Sequence, residues 1–353
     1  MNDKRTMMKY AGSMQQAAYI RPLRYDEGRS RDLKALEVKN GPLCFKLLAD
    51  KCLDIAELSY RGVNFSFMAK PGLQGLGPWD THGEEAVRSI MGGMMFTSGV
   101  ENICAPCTIR GVDYPMHGRM RSTPAEHLCT DAFWGAEGYR LTASGEMREA
   151  ALFGENMVLR RRVDTVYGQK RLTVTDVIEN ESAREEPMML LYHINLGWPL
   201  LDEDLHLRLP TRKVTPRDAE ADGHEGAYDR MDPPKDNEPE YVFIHDLKHD
   251  DAGDTCAIAW NGKLALGLQI EWNVKNLPFF MEWKSTASGD YALGLEPANS
   301  SVYGRPWHEA RNSVHTLAPF AREENTLTFT VLDGMAEIEA ALSDFDRRFQ
   351  NLK

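Results

Sequence analysis

A chain of 353 residues with 42% hydrophobic and 27% charged residues has the make-up of a folded globular protein, which excludes disorder for its bulk. That length can bury a sizeable core without disulfides or metals. The formal net charge of −12 disfavours nucleic acid and anionic membrane as partners, since both select basic patches.

Residues 1–35 read as an N-terminal extension. The first sixteen carry charged and polar side chains without an apolar core like that of a signal peptide. No apolar run reaches membrane-spanning length, so a cytoplasmic setting is expected. Six cysteines, at 44, 52, 104, 107, 129 and 256, are too sparse for a disulfide scaffold. Cys104-Ala-Pro-Cys107 is a single CxxC without a second pair, which argues against zinc and leaves reduced structural thiols. No metal or cofactor is expected.

Strand-like segments then follow in order. Residues 43–49 form a short apolar run. Residues 52–60 and 63–68 flank Arg61-Gly62, a hairpin signal. Residues 158–163 and 171–178 are strand-length around Tyr167-Gly168-Gln169, and the Arg160-Arg161-Arg162 triplet reads as a solvated face. Residues 188–194 are continuously apolar, as in a fully buried central strand. Residues 212–240, rich in Asp, Glu, Gly and Pro, read as a long loop passing near a site. Residues 256–260 and 263–270 bracket Asn261-Gly262, a two-residue turn in which both positions would take positive φ. Residues 279–283, 291–295 and 326–332 complete the strands. Residues 335–350 form one helix, with Ile338, Leu342, Phe345 and Phe349 on a single stripe. It is expected to pack on a sheet edge or at a homo-oligomer interface. The fold class is all-β: one large antiparallel β-sandwich domain over 1–353 with a C-terminal helix.

Three constellations can carry chemistry. Gly92-Gly93 precedes Tyr114-Pro115-Met116-His117-Gly118-Arg119, which sets a titratable ring beside a cation; alone, His117 reads equally as a turn histidine. In Tyr192-His193-Ile194-Asn195, His193 and Asn195 are two apart and share a strand face, though a satisfied core histidine is the plainer reading. In Leu295-Glu296-Pro297-Ala298-Asn299, Glu296 closes an apolar run, where a carboxylate is costly without a partner or a function. Trp198 and Trp283 could stack on a sugar or sit in the core.

In order and spacing these motifs resemble the aldose 1-epimerase, or galactose mutarotase-like, superfamily, and within it the DUF4432 branch. The resemblance covers roughly residues 40–332. It implies a large antiparallel sandwich that holds a small-molecule sugar or sugar acid across one concave sheet and interconverts its anomers. By that resemblance Glu296 is the general base on the anomeric hydroxyl, His193 the acid to the ring oxygen, and His117 the histidine that polarises the sugar. Arg88 and Asp246 stand, by order alone, where the family has a supporting arginine and aspartate. Arg119 could instead supply the cation for an acidic substrate. Asn195, Trp283 and Asn299 complete the expected contacts. Two other readings remain open: a different sugar isomerase, epimerase or lyase, and a non-catalytic sugar-binding protein.

Overall fold

The computed structural model describes residues 4–77, 80 and 82–349. Among them, ten strands form the path of one sheet in the order Tyr19–Arg24, Lys34–Lys39, Leu43–Leu48, Asp54–Tyr60, Met95–Val100, Met189–Leu196, Ala292–Ala298, Phe279–Ser285, Tyr241–Leu247 and Thr211–Pro216. A second sheet runs Leu205–Arg208, Asp254–Asn261, Leu266–Asn273, Arg322–Asp333, Arg171–Asn180, Asn156–Val166, Gly138–Ala150 and Glu126–Gly135. Neighbours in both are antiparallel. The sheets pack face to face: Phe45, Met95, Ile194 and Leu295 from the first meet Leu141, Leu159, Val174, Leu268 and Phe329 from the second in one core. The expected antiparallel sandwich is what the chain builds.

The Arg61-Gly62 hairpin forms as its residues dictate, with φ of 49° and 86° and Tyr60 opposite Val63. Asn261-Gly262 does not form the expected two-residue turn. Asn261 instead faces Leu266 across a four-residue loop, and its Oδ1 accepts from the backbone N–H of Lys263 and Leu264, both at 3.0 Å. The asparagine side chain supplies the turn itself, and the positive φ, 51°, falls on Ala265.

The stretch 1–35 is not wholly an extension, because Tyr19–Arg24 is the edge strand of the first sheet. Pro22 and two arginines disguise it, as an edge position permits. Likewise 211–216, the start of the expected loop, is a strand paired with Tyr241–Leu247. The Glu126–Gly135 strand escapes a sequence reading because it is exposed on both faces at the rim of the second sheet and lacks alternation.

Arg161 overturns the solvated-face reading of its triplet. It is fully buried between the sheets, where it pairs with Asp54 at 2.5 Å and Asp176 at 2.6 Å and donates to Thr97 Oγ1 at 2.8 Å. Tyr192 donates its hydroxyl to Asp176 at 2.8 Å. Two carboxylates and one guanidinium thus join the sheets directly behind His193.

The C-terminal helix, Met335–Phe349, lays Ile338, Phe345 and Phe349 on Cys256, Ile258 and Leu332, covering the outer face of the second sheet within its own chain. No helix among the described residues is long and apolar enough to cross a membrane.

Candidate active site

Strand alternation builds the site. Along Met189–Leu196, Leu190, Tyr192, Ile194 and Leu196 enter the sandwich core, so His193 and Asn195 face the other way. Cross-strand register does the rest. Phe96 lies opposite His193 on one side, and Ile194 opposite Leu295 on the other sets His193 opposite Glu296. His193 Nε2 is 3.1 Å from Glu296 Oε1. The Phe96 ring stacks on His193 at 4.5 Å between centroids, and Trp283 meets His193 edge-on at 5.5 Å.

His117 arrives from a loop. Its Nδ1 lies 2.9 Å from Ser98 Oγ, and its ring stands 5.5 Å from that of His193. Its backbone N–H donates to Cys104 O at 2.9 Å, and its carbonyl accepts from Gly99 at 3.1 Å. The turn depends on Gly118, whose φ is 69° and where a Cβ would lie 2.2 Å from Gly99 O and 2.7 Å from Asn102 O. Both obstacles are backbone and cannot swing aside. Gly118→Ala is expected to cost about 2 kcal/mol or more and to displace His117. Thermal unfolding and histidine NMR shifts check both effects; an unchanged melting temperature would refute the account.

These side chains floor a cavity of about 1050 Å³, at the upper end of small-molecule sites. Burial pushes the Glu296 carboxyl up to about 8; the Glu240 charge adds to the rise and Arg217 opposes it. Burial holds His193 down at about 4, with the Asn195 side chain pulling the other way. His117 is held well below the usual histidine range by burial, then by His193 and Arg121. At neutral pH the floor is therefore uncharged, with one exchangeable proton on the Glu296–His193 pair. His193 Nδ1, Asn195 Oδ1 and Glu296 Oε1 are buried without an aligned hydrogen-bond partner in the protein. Such groups are costly to bury unless a ligand engages them.

The structure sorts the remaining expected contacts. Asn195 lines the cavity, and its amide donates to Gly93 O at 3.1 Å and His193 O at 3.0 Å. Trp283 and Arg88 also line it. Arg119 does not: it is bound by both carboxylate oxygens of Glu101 outside the cavity. Asp246 does not either, being exposed and paired with Arg212 at 3.3 Å. Asn299 clamps the backbone, its Oδ1 accepting from Leu190 N at 2.7 Å and its amide donating to Met188 O at 2.7 Å. Trp198 is exposed beyond the cavity. Sequence reading missed Arg217 and Glu240, paired at 3.1 Å, with Glu240 also accepting from Trp283 Nε1 at 2.8 Å. Both lie in the 212–240 excursion, whose length and polarity were the available signal. As for metal ligands, exposed Glu126 and His127 and half-buried Glu146 form a group away from the cavity, but Arg148 and Arg160 already engage Glu146 at 2.8 and 3.0 Å.

A family model described as a domain of unknown function, DUF4432, matches residues 30–331. A Klebsiella pneumoniae protein provisionally named an aldose 1-epimerase superposes with a TM-score of 0.89 at 22% identity, over 95% of this chain and 88% of that one. A galactose mutarotase-like protein from Clostridium acetobutylicum gives a TM-score of 0.61 at 13% identity, over 91% and 100% of the two chains. A galactose 1-epimerase from Lactobacillus acidophilus gives 0.56 at 14%, over 90% and 100%. No curated protein matches. At such identities the likeness is one of fold, the galactose mutarotase-like sandwich. The family match spans most of the sequence, and on it the chain belongs to the DUF4432 family.

Proposed function

We propose that this protein interconverts the anomers of a sugar through acid–base ring opening by Glu296 and His193. The observation that carries the reading is the cross-strand pair itself: a carboxyl and an imidazole 3.1 Å apart, facing a cavity with unengaged buried polar atoms. The neighbours of galactose mutarotase-like name support it by fold.

Opening a pyranose hemiacetal requires that a base take the proton from O1 while an acid protonates the ring oxygen. Rotation about C1–C2 and reclosure then give the other anomer. With the shared proton on His193 rather than on Glu296, the carboxylate takes the O1 proton and the imidazolium serves the ring oxygen; on closure the roles reverse. One proton shared by the pair satisfies both directions, and each positioned transfer is worth roughly 10²–10⁴-fold. His117, braced by Ser98, donates a hydrogen bond to the sugar. Phe96 and Trp283 flank His193 with the aromatic surface that sugar faces favour. We assign the reaction to the cytoplasm, in keeping with cysteines that form no disulfide.

Magnetisation-transfer proton NMR over neutral aldoses, deoxy sugars and acidic sugars tests the reading. Accelerated exchange of at least one sugar is expected. Binding without acceleration across the panel would point to a sugar-binding protein instead.

The pair also dictates the pH profile. Below about 4 both groups hold protons and no base remains; above about 8 neither does and no acid remains. The profile of kcat/KM is expected to be a plateau between these limbs, which belong to the pair as a whole. Glu240→Gln removes a like charge from Glu296 and should move the alkaline limb down; Arg217→Gln should move it up. A rate that keeps rising above pH 8 would indicate a lone base and overturn the two-group mechanism.

A further inference from the structure

Beside the aromatic floor, the cavity wall carries two guanidinium groups, Arg29 and Arg88. One loop grips both from behind. Gly75 N donates to Arg29 O at 2.8 Å, and the buried Gln74 amide donates to Arg88 O at 2.5 Å. Consecutive residues of a single segment therefore hold the two arginine backbones on one wall. This wall adjoins the reacting groups: Ile90, two residues beyond Arg88, packs on the apolar cluster that includes Phe96, and Phe96 stacks on His193.

The other cavity cations are already neutralised. Arg217 is paired with Asp218 at 2.6 Å and Glu240 at 3.1 Å, and Lys70 with Asp290 at 2.5 Å. Among the described residues Arg88 pairs only with Glu85, at 3.8 Å and with both side chains 65% exposed. Such a pair is worth little and yields readily to a better anion. Arg29 makes no ion pair among the described residues. The two backbones are anchored while the guanidinium groups stay exposed and weakly engaged, an uncommon pairing on a chain of net charge −12. Planar forks of this kind bind carboxylate, sulfonate or phosphate through paired N–H donors, which a neutral sugar cannot match.

We propose that Arg29 and Arg88 bind an anionic substituent of the sugar, so that the substrate is an acidic sugar. The proposal rests on the acid–base reading of the Glu296–His193 floor and names its substrate class. A substituent on C5 of a pyranose lies beside the ring oxygen. Anchoring it would fix which ring atom faces His193 and leave O1 to Glu296.

The test is calorimetric titration of matched sugars: a neutral hexose, its uronate, its 6-phosphate and its 6-sulfonate. Wild type, Arg29→Gln, Arg88→Gln and the double variant are compared, with melting temperatures checking the fold. Wild type is expected to bind at least one acid about tenfold or more tightly than the neutral parent. That ratio should fall several-fold in each single variant and approach one in the double variant. Raising salt should shrink it in wild type, as for solvent-screened charges. Which acid wins identifies the anionic group. Equal affinities, no binding of any acid, or a preference that survives in the double variant would overturn the proposal. Exchange NMR on the same sugars separates the two readings. Accelerated exchange without acid preference defeats the arginine site and leaves the mutarotase standing; acid binding through the arginines without exchange does the reverse.

Discussion

Glu296→Gln is expected to lower catalysed anomer exchange by about 10²–10⁴-fold, the range a positioned proton transfer contributes. The fold should survive, because burial keeps the native carboxyl protonated to about pH 8 and an amide of the same shape replaces it. Stability carries its own signature. The folded carboxyl holds its proton to about 8, whereas an unfolded one releases it near 4.5. Folding of the wild type therefore gains from this group below 4.5 and loses that gain as pH rises through 8. The amide has no such dependence, so the melting temperature of the variant should rise relative to wild type across that window. Exchange NMR at pH 6.5 and melting curves from pH 4 to 9 measure both effects. Activity retained within threefold would remove Glu296 from the mechanism, whatever the melting curves show.

Arg161→Met should produce the largest loss of stability, about 3–5 kcal/mol, because it leaves buried charge without a partner. Arg161 and its two aspartates are fully inaccessible, and the guanidinium satisfies Asp54, Asp176 and Thr97 together. Denaturant unfolding reads the loss. Combining Arg161→Met with Asp54→Asn and Asp176→Asn should restore part of it, since the stranded charges then disappear. If the single variant costs under 1 kcal/mol, the cluster is not the inter-sheet tie inferred here. Because Tyr192 hydrogen-bonds Asp176 and precedes His193, the single variant should also lower activity more than a remote core change of equal cost.

The sandwich was legible where strands have one wet and one dry face or none. The continuous apolar run around His193, the Arg61-Gly62 turn and the late strands all read correctly, because burial imposes composition. Edges did not read, since the Tyr19–Arg24 and Glu126–Gly135 strands answer to solvent on at least one side and carry no alternation. The buried Arg161 looked like surface for a related reason: Asp54 lies 107 residues away on the facing sheet, and Asp176, 15 residues on, meets it only through the register of the next strand. At the site, Glu296 and His193 were visible as polar residues set in apolar runs, although both lie within their strands rather than at the ends, and Asn195 was visible through its two-residue spacing. Supporting charges were not. Arg119 and Asp246 had the right order in sequence but point to Glu101 and Arg212. Arg217 and Glu240 lie in a loop whose path no periodicity encodes.

The pair proposed to do the chemistry stands on adjoining strands of one hydrogen-bonded ladder, while much of the cavity rim, Arg29, Lys70, Arg88 and Arg217 among it, comes from connecting segments. Reactivity and selectivity are thus written on separable parts of the gene. Loops can be lengthened, shortened or recoded without moving the carboxyl relative to the imidazole, because strand register fixes that distance. On the proposed reading, a lineage starting from this scaffold can trade one sugar for another by drift in its connections alone. Descendants with the same pair are then expected to sort by substrate according to their loops, with their ladders nearly unchanged.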